Sequence, residues 1–230
     1  MSDVAFAVVD VETTGLSSAF GDRVCEVAIV RVQGEEQPTS FTSLVNPGRP
    51  LSPGAAAVNG ITPEMLATAP TFSDIAAEVS RQLEDCLFVA HNAPFDLGFL
   101  AAEFQRLGTP LPVTHVIDTL ALARRYYAFA RNNLGAVAEA LHIPYPQRHR
   151  ALQDAEVTWR VFSTMSRDLI ETRRATFADF LMPAAALLQP VGDEVASLPP
   201  LLSEALTNHL SLEIHYVTQT QVVSIRRVDP

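Results

Sequence analysis

The chain has 230 residues, 48% hydrophobic and 18% charged, with a formal net charge of −10. That balance excludes a disordered chain, and the length suits one good-sized domain or one domain plus a small appendage. The negative charge excludes a basic glove around duplex DNA, though not an enzyme that holds a few nucleotides through metal ions.

In chain order, residues 4–10 read as a strand, and residues 24–32 as a second with alternating faces. A turn from Gly34 to Pro38 leads to a third strand at 39–45, so the short links suggest an antiparallel meander. Residues 46–53 are a Pro/Gly loop. Helical spacing then places Phe72, Ile75, Ala76, Val79 and Leu83 on one helix over 72–83. A short buried strand follows at 87–90, and a helix at 95–107 with Pro94 in its first turn. Residues 116–117 form a short strand, 118 to about 129 a helix, and 133–141 another, ended by Pro144 and Pro146. The long helix at 151–170 carries Leu152, Ala155, Trp159 and Phe162 on one stripe. Prolines punctuate residues 172–200, which read as a linker with one short helical piece. Residues 201–210 read as a helix, and 212–217 and 221–228 as two strands joined through 218–220. Hairpins first and then strands alternating with helices give a mixed α/β sheet.

The domain boundaries that follow are 1–171 for the main domain, 172–200 for the linker and 201–230 for a small α+β appendage. Cys25 and Cys86 lie in apolar runs and read as buried free thiols. There is no lysine among the 16 basic residues, so any phosphate contact from a basic side chain is an Arg contact. Met1-Ser2-Asp3 lacks a basic lead-in and no run of about 18 apolar residues occurs. We therefore expect no signal peptide, no membrane span and a cytoplasmic location.

The chemistry begins where the first strand ends, at Asp10-Val11-Glu12-Thr13-Thr14-Gly15. Residues two apart on a strand share a face, so Asp10 and Glu12 point the same way and each disfavours ionisation of the other. A hard divalent cation with oxygen ligands relieves that repulsion. Asp96 follows the strand at 87–90, in the first turn of a helix, where it is either a helix-favoured acid or a second contribution to the site. Asp154 stands on a helix face that otherwise carries Val157 and Val161, so it needs a partner. His149 lies in the loop before that helix, either as a surface histidine or swung over the acids. Arg148 and Arg150 flank it, as phosphate contacts or as a solvated loop. Arg124, Arg125 and Arg131 read as a wet helix face, and Trp159 as core.

Together these segments resemble the DEDD exonucleases, in the DnaQ-like subgroup with His in the third motif (DEDDh), which includes the epsilon proofreading subunit of bacterial DNA polymerase III. Asp10-Val-Glu-Thr-Thr-Gly15 matches the first motif, His91-Asn-Ala-Pro-Phe-Asp96 the second and His149-x4-Asp154 the third, and Asp118-Thr119-Leu120 is also a recurring segment. The resemblance covers residues 4–170. It implies a ribonuclease H-like fold and 3′→5′ hydrolysis of phosphodiesters with two divalent ions, Mg²⁺ or Mn²⁺. Carried over, Asp10 bridges both metals, Glu12 and Asp154 hold the one that binds the attacking water, and Asp96 acts through the second metal's waters. His149 is the general base. Thr13, Thr14, Gly15 and Leu16 seat the terminal nucleotide, joined by Asn92 and Phe95. The implied substrate is the 3′ end of single-stranded DNA, or of RNA, with a DNA polymerase subunit as partner and no membrane. A non-catalytic binding module is the reading from another class, and it conflicts with the presence of all four acids and the histidine. Leu212-Glu-Ile-His-Tyr216 and Ile225-Arg-Arg-Val-Asp-Pro230, after Ser203-Glu-Ala-Leu206, resemble the opening of a WYL-type domain.

Overall fold

Alternating apolar residues and Gly or Pro turns become strands of a six-stranded mixed sheet in the computed structural model, which describes residues 4–34, 37–146 and 150–188 and the strands at 212–217 and 222–227. β1 (Ala5–Thr13), β2 (Val24–Gln33) and β3 (Thr39–Leu44) make the expected antiparallel meander. Two short helices follow, α1 (Pro53–Asn59) and α2 (Pro63–Ala67). Sequence periodicity missed both, because neither is long enough to show one. Their ends are nevertheless written locally: Ser52 and Thr62 cap the first turns with their hydroxyls, each followed by proline at the first helical position.

α3 (Phe72–Leu83) crosses over to β4 (Cys86–Ala90), which pairs with β1 in parallel. α4 (Ala93–Arg106) crosses to β5 (His115–Asp118), again parallel. α5 (Thr119–Tyr126), α6 (Leu134–Ala140) and the long α7 (Ala151–Glu171) come next. β6 (Met182–Pro183) closes the edge antiparallel to β5, followed by α8 (Ala184–Leu187). The strand order is β3-β2-β1-β4-β5-β6, so β1 is interior.

The two faces of β1 decide where the site forms. Ala5, Ala7, Val9 and Val11 pack with α3 and α4 through Phe72, Val79, Leu97 and Leu100. Phe6 and Val8 pack with α7 through Val161, Phe162 and Met165. Asp10 and Glu12 continue this second row, so strand alternation alone aims both acids at the N-terminal end of α7.

Two expectations need correction. The helix starting near 118 stops at Tyr126, not near 129. The Tyr127 hydroxyl donates to Asp168 at 2.6 Å and its ring stacks on Phe129, which draws the backbone into an extended conformation. The stretch read as a linker is also part of the packed unit as far as Leu188. Phe180 is buried edge-on against Phe162 and Phe177, and Met182–Pro183 supplies the sheet's last strand. Cys25 and Cys86 are buried free thiols, as read. Trp159 packs beside Phe6 and Phe162. Among the described residues no helix is long and apolar enough to cross a membrane.

The second unit, 189–230, is described only by the hairpin of β7 (Leu212–Val217) and β8 (Val222–Arg227), paired antiparallel from Leu212 opposite Arg227. The helix read at 201–210 lies outside the described residues.

Candidate active site

One oxygen each from Asp10, Glu12 and Asp154 falls in a group whose members all lie within 4.8 Å of one another. β1 supplies the first two from one face, and the first turn of α7 supplies the third. Burial, followed by the charges of Asp96, Asp154, Glu12 and Glu26, raises the Asp10 carboxyl well above the usual carboxylate range. Glu12 is pushed up to about 7 by burial and by Asp154 and Glu26, with Arg150 opposing. Such a group is short of positive charge. Three hard oxygen donors at this spacing fit a small divalent cation.

Asp96 stands outside the three-acid group but beside it. Its Oδ1 accepts the Val11 backbone N–H at 2.9 Å. β4 pairs with β1 only as far as Val8, so this amide would otherwise lack a partner on that side. Asp96 therefore ties α4 to the end of β1 between Asp10 and Glu12. Burial raises its own carboxyl.

Sequence reading missed two further participants. Tyr145, in the proline-flanked loop before α7, donates its hydroxyl to Asp154 Oδ1 at 2.6 Å. Glu26 lies directly across from Glu12 in the β1–β2 register, buried on the same sheet face. It receives Arg150 at 2.9 Å, so Arg150 is engaged here and is not simply a solvated loop residue. A glutamate inside the apolar run of β2 was the available signal, but alternation alone does not say what it meets. Cys25 has its thiol pushed up to about 12 by burial and by Glu12 and Glu26, so it stays protonated.

Next to the acids is a cleft of about 420 Å³, lined by Glu12, Leu16, Val58 and Phe95 among others. Leu16 is 88% exposed, the most exposed large apolar side chain described. The turn that presents it is tightly braced. Thr14 is fully buried, donates its N–H to Arg23 O and accepts Ser52 N–H at its carbonyl. Its hydroxyl bridges Arg23 N and Asp22 Oδ1. The Thr14 amide is therefore already committed within the protein, so this residue's own N–H is not a free donor in the turn. Thr13 turns its hydroxyl onto Gly15 O at 2.6 Å. Gly15 has no room for a side chain: a Cβ there would lie 2.3 Å from Asp22 Oδ2.

Asn92 is exposed at the N-terminus of α4 in a left-handed conformation, φ 71°, and is not among the residues lining the cleft. His91 bonds Thr119 and Asn132 O, both at 2.8 Å, and burial lowers its pKa. Asp118 accepts the Asn92 and Leu120 amides. His149 and Arg148 lie outside the described residues. Arg124, Arg125 and Arg131 are exposed.

An exonuclease family model matches residues 7–162. The chain belongs to the DnaQ-like 3′→5′ exonucleases. This exonuclease is 38% identical over 172 residues to the PolC-type DNA polymerase III of Bacillus cereus, covering 74% of the chain but only 12% of that relative. It is similar to exonuclease X, solved in complex with 5′ overhanging duplex DNA, at 28% identity and a TM-score of 0.56, covering 76% of this chain and 96% of that one. The nuclease domain of 3′hExo, a DEDDh family member bound to rAMP, shares the fold at 20% identity and a TM-score of 0.60, over 71% of this chain and 92% of that one. The sheet and its flanking helices are thus the ribonuclease H-like fold, and the exonuclease's carboxylate cluster suits the divalent ions on which the family depends.

Proposed function

We propose that this exonuclease removes the terminal residue from the 3′ end of single-stranded DNA with two divalent cations, Mg²⁺ or Mn²⁺, releasing nucleoside 5′-monophosphates in proofreading or repair. The observation that supports this best is the Asp10–Glu12–Asp154 cluster opening beside a cleft with an exposed Leu16. Bound cations supply Lewis acidity and lower the pKa of the attacking water. Asp10, Glu12 and Asp154 hold them, and Asp96 contributes from behind β1. The positive charge needed to approach a polyanion then comes from the ions, which accounts for an acidic protein acting on DNA.

The side chains do the rest. Leu16 and Phe95 give the terminal base an apolar seat, and Thr14 keeps the Gly15–Leu16 turn in place. His149, one residue before Arg150, takes the proton from the attacking water. A new P–O bond forms and the P–O3′ bond breaks, the leaving O3′ takes a proton from solvent water, and the shortened strand leaves with a 3′-hydroxyl as His149 returns its proton to solvent. The likeness to a segment of a polymerase III chain supports work alongside a DNA polymerase subunit.

The test is shortening of 5′-labelled single-stranded DNA and RNA in Mn²⁺, with and without EDTA, with the released mononucleotides identified by chromatography. The reading requires EDTA-sensitive shortening of DNA from the 3′ end. Shortening of RNA alone would move the substrate to RNA, and no metal-dependent release from either would overturn it.

A further inference from the structure

We propose that Glu26 and Arg150 are positioning residues of the metal site, which cap α7 from the sheet and so hold Asp154 against Asp10 and Glu12. The inference rests on reading those three acids as cation ligands. The first N–H groups of any α-helix lack intrahelical partners and are commonly met by the side chain of the residue just before the helix. Here that residue is Arg150, whose side chain makes no such bond. The acceptor comes from another element: Glu26 Oε2, on β2, takes the Ala151 N–H at 3.4 Å. A carboxylate is well matched to that end of the helix dipole.

Arg150 completes the fastening. Its Nη2 reaches Glu26 Oε1 at 2.9 Å and its Nε reaches Oε2 at 3.3 Å. The Arg150 carbonyl in turn accepts the Asp154 N–H at 3.1 Å, closing the first turn of α7. One carboxylate therefore grips both the residue before the helix and its first residue, and the next bond along fixes the backbone of Asp154. The anchor point is also specific, because Glu26 is the register partner of Glu12. β1 and α7 are thus joined through β2 at the level where their acids meet.

The charges argue that geometry is the purpose. A guanidinium beside a cation site weakens cation binding through space, and Arg150 sits there, bonded to Glu26, the register partner of Glu12. Field and position therefore give opposite signs when Arg150 is removed.

The experiment is Mn²⁺ titration by calorimetry of the whole chain as wild type, Arg150→Met and Arg150→Lys, with circular dichroism to check folding and steady-state kinetics on an oligonucleotide. Positioning requires Arg150→Met to weaken Mn²⁺ by about tenfold and to lower kcat by about 10–100-fold, with KM changed less than threefold. Arg150→Lys keeps the charge and loses the fork, so it falls between. Unchanged or tighter Mn²⁺ binding in folded Arg150→Met overturns the proposal. If that variant does not fold, Arg150→Lys decides: weaker Mn²⁺ supports positioning, and wild-type affinity overturns it. Failure of the underlying reading has another signature, namely that Asp154→Asn leaves Mn²⁺ binding as in wild type.

Discussion

Stripping the site of metal should leave a protein that becomes less stable as pH rises. Glu12 is shifted from 4.5 to about 7 in the folded chain. A carboxyl whose pKa is raised on folding contributes stability that is complete below 4.5 and lost as pH rises through about 7. Each tenfold gain in proton affinity on folding is worth about 1.4 kcal/mol, so the loss between pH of about 5.5 and about 8 is about 2 kcal/mol from Glu12. Asp10 and Asp96 are shifted the same way, so they add to it. His91 has its pKa lowered by burial and carries the opposite sign. The control is therefore Glu12→Gln, which retains His91. Thermal unfolding of EDTA-treated protein should show wild type losing roughly 4–8 °C in Tm over that interval relative to Glu12→Gln, taking 2–4 °C per kcal/mol for a protein of this size. Mn²⁺ at roughly 100 times its Kd should restore about 2.7 kcal/mol at the upper pH and much less at the lower, where the carboxyls are already protonated. Parallel pH curves for the two proteins, or equal Mn²⁺ stabilisation at both pH values, would refute the electrostatic account of the cluster.

Substitutions at three other positions have definite expected outcomes. Asp96→Ala strips the Val11 amide of its acceptor and should cost about 1–3 kcal/mol in urea unfolding, whereas Asp96→Asn keeps an acceptor and should cost far less; both should lower turnover. Gly15→Ala puts a Cβ 2.3 Å from Asp22 Oδ2, so either the turn moves or the Asp22 carboxylate gives up its bonds to Thr14 and Ser17. A loss of about 1–3 kcal/mol and a raised KM are expected, and a wild-type Tm with unchanged KM would contradict the brace. His149→Ala should lower kcat by about 10²–10⁴-fold while calorimetric Mn²⁺ affinity stays as in wild type; full activity would remove it as the base.

Local periodicity carried much of this fold. The alternation of β1 put Asp10 and Glu12 on one face, and the stripe of α7 put Asp154 at that helix's start. Residues acting across elements were harder to read. Glu26 is visible as a charge in an apolar strand, but its partners are 124 and 125 positions away in sequence. Tyr145 meets Asp154 from an irregular segment, where no periodicity says what a side chain touches. Phe177 and Phe180 lie in a stretch that composition gives to a linker, and only packing against α7 makes them core. Thr14 shows a different limit. Its place in the motif was plain, but which of its polar groups remained free depended on Arg23, Asp22 and Ser52.

That last residue separates two meanings of a sequence signature. Thr14 is a rivet: fully buried, with its amide, carbonyl and hydroxyl all committed within the protein. The need for a rivet does not lapse when hydrolysis does. A descendant that traded Asp10 or Glu12 for neutral residues would still keep Thr-Thr-Gly to fold. A survey keyed to those three letters would therefore count dead copies as nucleases. The living ones are told apart by the acids around the rivet.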